Sequence, residues 1–130
     1  MKFFKYNFFL LKDLPSAFFC GTRIKSIDEK QCEIKIRLNW FNKNPFKSMF
    51  WAAQGMAAEL TTALMLKDKI EKTGYDVSML MISNKANYYK KATGTIIFKC
   101  NQGNEIDNII NELISSQAPQ TILLSSAGIN

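Results

Sequence analysis

Glu59 is the residue of this sequence with the clearest potential for chemistry, because it is the only ionisable residue between Ala52 and Leu66. A charge among apolar neighbours is costly unless it is paired or protonated, so the pattern predicts a buried acid that could serve as a general base. Gly55 precedes it by one helical turn on the same face and would leave space beside the carboxylate. A structural ion pair with a distant lysine or arginine fits the same pattern equally well.

The 130-residue chain contains no histidine. This excludes Ser-His-Asp triads, Cys-His nucleophile pairs and metal sites with His ligands. The three cysteines, Cys20, Cys32 and Cys100, form no CxxC pair and are too few for a disulfide framework. We therefore expect reduced cysteines, no metal site and no cofactor, so any catalysis must use other polar side chains or backbone N–H groups.

The net charge of +6 is unevenly distributed. Residues 1–50 carry ten Lys or Arg and four Asp or Glu, whereas residues 101–130 carry three acids and no base. A basic amino-terminal part favours acidic partners such as nucleic acid, a membrane surface or a phosphorylated ligand, although scattered solvated lysines are the commoner meaning. The pair Lys90-Lys91 beside Tyr88-Tyr89 lies in no nucleic-acid motif, so no nucleic-acid partner is expected.

Hydropathy predicts a soluble, cytoplasmic protein without a membrane span. The longest apolar run near the amino terminus, Phe8–Leu11, is too short for a signal peptide, and no window approaches the roughly 20 apolar residues of a spanning helix.

Periodicity predicts the elements that must position these residues. Helices are expected over 3–14 (ended by Pro15, with a further turn to residue 20), over Met49 to Lys72 (stopped by Gly74) and over 104–114. Strands are expected over 22–27, 32–40, 77–89, 93–100 and 121–124, with a hairpin joining 77–89 to 93–100. The order predicts an α+β fold, in which an antiparallel sheet packs on a long helix buried on most faces. Residues 1–130 form one domain, and residues 1–20 are its helical amino-terminal segment.

The layout resembles the hotdog-fold thioesterases, in particular the branch of 4-hydroxybenzoyl-CoA and phenylacetyl-CoA thioesterases. That branch has an Asn before the long helix, often a His six residues later, and an acid nine residues after the His. Asn44, Phe50 and Glu59 keep this spacing. The resemblance covers residues 15–100 and implies an antiparallel sheet wrapped around a long central helix.

The strand–turn–strand segment that follows the long helix also resembles these thioesterases. Their turn carries a Lys or Arg, a small residue and Gly, which Lys91, Ala92 and Gly94 match. Relatives usually finish with a further strand hairpin, so we expect a shortened chain or a missing final strand here.

The resemblance implies a thioester hydrolase of acyl-CoA or acyl-carrier substrates, with coenzyme A entering only as part of the substrate. The carbonyl would lie over the first turn of the long helix, near Trp51 to Ala53, and Glu59 from a neighbouring subunit would activate a water or attack directly. Asn44 and Gln54 would supply further polar groups. The implied substrate-binding residues are Phe46, Phe50, Trp51, Ala52, Gly55, Lys90 and Lys91, of which the lysines would contact phosphates. A homodimer or a dimer of dimers is expected.

The sequence departs from the family pattern at Phe50-Trp51-Ala52, where relatives carry His-Gly-Gly. The bulky pair narrows access to the backbone, so a non-catalytic hotdog dimer that binds fatty acyl chains or acyl-CoA is the alternative. The aromatic residues could equally serve in core or dimer packing. A hydratase is the least favoured activity, because such members rely on a catalytic His.

Overall fold

Four helices and four strands make up residues 2–130, the part of the chain that the computed structural model describes. The helices are α1 Lys2–Asp13, α2 Pro15–Phe19, α3 Trp51–Thr73 and α4 Gly103–Ser116. The strands are β1 Arg23–Ile27, β2 Cys32–Arg37, β3 Thr95–Cys100 and β4 Ala127–Ile129. The predicted α+β class is confirmed, as are the three predicted helices and the further turn after Pro15.

The strands form one antiparallel sheet in the order β1-β2-β3-β4. Alternation along β2 places Cys32, Ile34 and Ile36 on the buried face, as the period-2 pattern predicts. Ile34 lies opposite Ile24 on β1 and Phe98 on β3. The buried row packs against one face of α3, so the core lies between the sheet and this helix.

The predicted strand over 32–40 ends early, at Arg37. Leu38 N–H still donates to the carbonyl of Gly94, at 2.8 Å, but the chain then turns into a loop. Trp40 is consequently 72% exposed, whereas the alternation placed it on the buried face. Trp40 fits the period-2 pattern by its position in the sequence, but it belongs to the loop that follows β2.

The predicted strand over 77–89 and its hairpin with 93–100 are wrong for the single chain. Residues 78–90 are all exposed and belong to no strand, because β3 pairs with β2 on one edge and with β4 on the other, which leaves this segment no edge of β3 to pair with. The predicted strand over 121–124 is also wrong, since the last strand is β4. β4 lies close over Phe98 because Gly128 has no Cβ, which would stand 2.5 Å from that ring.

Three interactions fix the outer helices to this core. The Tyr6 hydroxyl on α1 donates a hydrogen bond to the Asp68 carboxylate on α3. Lys69, only 9% exposed, places its Nζ 2.8 Å from the Asp107 carboxylate on α4. The amide of Gly103, at the start of α4, donates to the carbonyl of Lys30 at 3.0 Å.

Cys32 and Cys100 lie opposite each other on β2 and β3, and both are buried. Burial raises the pKa of the Cys32 thiol to about 12, and burial likewise raises the pKa of Cys100. Both thiols are therefore neutral and act as packing groups in the core.

Gly103→Ala is expected to lower the free energy of unfolding by roughly 1–3 kcal/mol, because the new Cβ would stand 2.0 Å from the carbonyl oxygen of Glu29. Gly55→Ala is the matched control, since its Cβ would meet nothing within 4 Å and alanine is the better helix former by up to about 1 kcal/mol. Urea unfolding of both variants measures the difference. Equal stability of the two variants would contradict the close approach of α4 to the β1–β2 turn.

Candidate functional site

The loop that leads into α3 is organised by Asn42, which is 1% exposed. Its Nδ2 donates to the carbonyls of Cys20, at 2.7 Å, and Arg37, at 2.9 Å. Its Oδ1 accepts from the amide of Asn39 at 2.9 Å, and its own carbonyl accepts from the amide of Phe50 at 2.7 Å. Asn39 Nδ2 donates to the same two carbonyls, at 3.0 and 3.1 Å, so Asn42 and Asn39 together fix where β2 ends, and Asn42 also fixes where α3 begins. Asn42 is not among the site residues predicted from the sequence.

Asn44 and Gln54, two predicted site residues, are brought together at one backbone carbonyl. The Met49 carbonyl accepts from Gln54 Nε2 at 3.1 Å and from Asn44 Nδ2 at 3.4 Å. Asn44 Oδ1 accepts from the amides of Phe46, at 2.9 Å, and Ser48, at 3.2 Å. In the single chain Asn44 thus shapes the loop beside the helix start, and its predicted role at a substrate stays a prediction.

The amino terminus of α3 is open. Phe50 occupies the N-cap position in extended conformation and provides no side-chain hydrogen bond. The amides of Ala53 and Gln54 both donate to the Phe50 carbonyl, at 3.1 and 3.2 Å. The N–H groups of Trp51 and Ala52 have no acceptor in the described chain. These two donors and the positive end of a 23-residue helix can together stabilise an oxyanion.

Glu59 is exposed, so the prediction of a buried acid is wrong for the single chain. The sheet covers the opposite face of α3, where the buried residues are Ala53, Ala57, Leu60, Thr61 and Leu64. The residues around Glu59 are half-buried: Ala52, Gly55, Met56, Thr62 and Ala63. The segment from Ala52 to Leu66 is apolar on nearly all faces of α3, but the sheet of this chain covers only one of those faces. Glu59 takes part in none of the three ion pairs of the described residues, so the structural ion pair is not formed there either.

Glu59 is too far along α3 to act at the start of its own helix. It follows Trp51 by eight residues, which is about 12 Å along the helix axis. A glutamate side chain cannot span that distance and still contact a carbonyl held by the first N–H groups. Gly55, between them, leaves open space, since an added Cβ would have no neighbour within 4 Å.

An exposed aromatic surface surrounds the start of α3. Phe46 is 72% exposed, Phe50 46% and Trp51 64%, and their predicted contacts with a substrate stay a prediction. The structure adds Trp40 and Phe41, whose rings meet edge to face at 5.4 Å and which sequence analysis did not assign to the site. The clustered asparagines of this loop, which favour a turn, were the signal that could have placed them outside the strand. We call these five residues the aromatic surface.

The two predicted lysines lie at the edge of this surface. Lys91 Nζ donates to the carbonyl of Phe46 at 3.3 Å, which ties the end of the exposed segment 78–90 to the loop before α3. The amide of Met49 also donates to the carbonyl of Ala92, at 2.8 Å. Lys90 is exposed next to them. The predicted contacts thus lie around one end of α3, except Gly55, which is one turn further along.

Two surface cavities of the single chain lie away from these residues. A surface cavity of about 210 Å³ lies between α3 and α4 and is lined by Lys69, Lys72 and Asp107. Another, of about 510 Å³, lies against β3 and β4. Neither is lined by Glu59, Asn44 or Gln54. The described residues place no three His, Cys, Asp or Glu side chains where they could hold a metal ion. Within residues 2–130, no helix is both long and apolar enough to cross a membrane.

A family model described as "Domain of unknown function (DUF4442)" matches residues 11–113 of the sequence. The comparison with curated proteins gives no match. A protein of unknown function from Chlorobaculum tepidum has a similar structure, with a TM-score of 0.83, 21% identity, and coverage of 97% of this chain and 77% of that one.

Two further similar structures are described as thioesterases. One is a candidate thioesterase from Shewanella oneidensis, with a TM-score of 0.66, 15% identity, and coverage of 76% of this chain and 72% of that one. The other is a probable thioesterase from Pseudomonas aeruginosa, with the same TM-score and identity, and coverage of 86% and 74%. The likeness confirms the α+β hotdog fold implied by the sequence resemblance, with the long helix α3 packed on the antiparallel sheet.

Asn42→Ala is expected to lower the free energy of unfolding by about 1–3 kcal/mol, because it leaves the amide of Asn39 without its partner and removes one of the two donors to the carbonyls of Cys20 and Arg37. Asn44→Ala is the matched control, and it should cost about 1 kcal/mol, because Asn44 is only half-buried and water can replace its bonds. Thermal and urea unfolding measure both. If Asn42→Ala were as stable as the parent, the buried amide would not organise the loop.

Proposed function

Because the chain belongs to the family described as a domain of unknown function (DUF4442), whose name assigns no reaction, we propose a function from its geometry. The protein is a thioester hydrolase of acyl-CoA or acyl-carrier substrates, and its site is completed by a second copy of the chain. The observation that carries this proposal is the open amino terminus of α3, where the N–H groups of Trp51 and Ala52 lie beside the aromatic surface. The thioesterase descriptions of two structural neighbours support it.

A second copy is needed because the acid and the N–H groups are about 12 Å apart on one helix. The exposed segment 78–90 offers the means of association, since its backbone makes no hydrogen bonds within the described chain. It also exposes large apolar side chains, among them Leu80 at 86% and Ile82 at 74%. An exposed segment whose backbone is unpaired within its own chain can pair with another strand. Antiparallel pairing of two such segments would make a closed homodimer.

In the dimer, Glu59 of one copy acts on a thioester held at α3 of the other. The carboxylate takes a proton from a water molecule, whose oxygen forms a bond to the thioester carbonyl carbon. The resulting oxyanion accepts hydrogen bonds from the N–H groups of Trp51 and Ala52. The C–S bond then breaks, and the thiolate takes the proton back from Glu59, so the products are an acid and a thiol. Asn44 and Gln54 position the Met49 carbonyl and hence the first turn of the helix.

The aromatic surface and the lysines next to it determine the substrate. Phe46, Phe50 and Trp51 offer apolar area for the acyl group, and their planar rings favour an aromatic or unsaturated chain over a short polar one. Lys90 and Lys91 carry the positive charge that phosphates of coenzyme A or of a carrier's prosthetic group require.

Glu59→Gln is expected to lower kcat for hydrolysis of an acyl-CoA at least a hundredfold, because the amide cannot accept the proton from water while its size and exposure stay the same. Release of free thiol from short, medium, long and aromatic acyl-CoA substrates measures the rate. Glu112→Gln, on the exposed side of α4, is the matched control and should leave kcat unchanged. If Glu59→Gln kept the kcat of the parent, Glu59 would not be the general base.

Leu80→Lys is expected to convert the dimer to a monomer and to abolish hydrolysis, because a charge would be buried in the paired segment. Leu123→Lys is the control, since that side chain is equally exposed at 86% but lies outside the segment. Sedimentation velocity gives the mass, and the thiol assay gives the rate. A fully active monomer would show that Glu59 acts within its own chain.

A non-catalytic acyl-binding protein is the second candidate, and it is favoured by the bulk of Trp51 at the helix start. This function predicts that one acyl chain or acyl-CoA binds per site and is released without hydrolysis. Native mass spectrometry after incubation with each substrate distinguishes the two functions: an unaltered ligand together with no free thiol supports binding alone.

A further inference from the structure

The outward face of α1 is an exposed apolar stripe on an otherwise well-anchored helix. Phe4 is 77% exposed, Phe8 55% and Leu11 40%, and their spacing of four and three residues places them in one row. The rings of Phe4 and Phe8 stack with centroids 6.2 Å apart. Phe19, on α2, is a further aromatic side chain that is 57% exposed. Large apolar side chains grouped in this way mark a surface that binds something.

This stripe cannot turn inward, because the opposite face of α1 is already in use. Leu10 is completely buried, and Asn7 Oδ1 accepts from the backbone amide of Ile24 at 3.1 Å. Tyr6 is bonded to Asp68 on α3, and Lys67 lies over the ring of Phe9, with Nζ 4.7 Å from its centroid. The inner face thus fixes the rotation of α1, and the apolar row stays on the outside.

Cations flank the row. Lys5 and Lys12 are exposed, and their seven-residue spacing places them two turns apart along one side of it. Residues 1–25 contain five Lys or Arg and a single acid, Asp13. Helices that bind the surface of an anionic bilayer lie flat on it and carry phenylalanine and leucine next to lysines, as α1 does.

A second copy of the chain fits this face less well. A symmetric contact brings the same surface of both copies together, so Lys5 and Lys12 would face the corresponding lysines of the other copy. Lipid phosphates provide the opposite charge instead, and the acyl region accepts the rings without a shaped partner. Beyond its first turn the backbone of α1 is paired within the helix, so this face offers mainly side chains.

We propose that the outer face of α1 docks the protein on an anionic lipid bilayer, with Phe4, Phe8 and Leu11 inserted below the headgroups and Lys5 and Lys12 on the phosphates. The 12-residue helix lies about 18 Å along the surface and does not cross it. The proposal is independent of thioester hydrolysis, since it involves none of the residues assigned to that site.

The test is co-sedimentation of the full chain with vesicles of phosphatidylcholine and phosphatidylglycerol in equal parts, and with vesicles of phosphatidylcholine alone. We expect binding to the mixed vesicles, at least tenfold weaker binding to the neutral ones, and release in 0.5 M salt, because the Debye length is then only about 4 Å. Absence of binding to the mixed vesicles at low salt would overturn the proposal.

Two variants of α1 separate the apolar contribution from the charges. Phe4→Ser with Phe8→Ser should reduce binding at least tenfold, and Lys5→Gln with Lys12→Gln should reduce it by about 25-fold, at roughly fivefold for each charge near the surface. All four side chains are exposed, so both variants should keep the circular dichroism and melting temperature of the parent. Leu123→Ser, outside α1, is the control and should bind like the parent.

Two results would contradict this assignment. Vesicle binding that survives both double substitutions would place the lipid contact elsewhere on the molecule. The other comes from sedimentation velocity. If the chain formed an assembly larger than a dimer, Phe4→Ser with Phe8→Ser dissociated it, and no vesicle binding were seen, then a second copy of the chain would occupy this face.

Discussion

The buried side chain of Asn42 is the constraint on which the rest of the site depends. Its amide joins the end of α2, the end of β2 and an amide within the loop, and its backbone carbonyl holds the residue before α3. Because these bonds fix Phe50, they also fix which N–H groups of α3 remain open and where the aromatic side chains of the loop point.

The sequence was a good guide wherever structure is determined locally. Pro15 separates two helices, Gly74 ends α3 with a φ of 76°, and the alternation of Cys32, Ile34 and Ile36 forms the buried face of β2. These signals act within a few residues of the element that they determine. Trp40 was misplaced because its position depends on Asn42 bonding to Cys20, which is 22 residues away and leaves no periodic trace.

The two errors that concern function have a common physical origin. The expected strand over 77–89 and the expected burial of Glu59 both assume that apolar residues are covered by their own chain. In the structure the segment 78–90 and the face of α3 around Glu59 are left uncovered. Asn44 and Gln54 came from the resemblance, and the structure brings them together at Met49. Spacing alone could not show that their amides bond to the backbone, since that depends on how the loop folds.

The uncovered surfaces differ in what their backbone can offer, and this difference determines the kind of partner. The segment 78–90 has N–H and C=O groups that are unpaired within the described chain along its length, so another strand could pair with it. Beyond its first turn the backbone of α1 is paired within the helix, and the outer face provides rings and ammonium groups without directional demands. A fluid anionic surface meets such a face as well as a shaped protein does, and without the repulsion between like charges. The proposed lipid contact through α1 shares no residue with the aromatic surface or with the segment 78–90, so no side chain is required for both roles.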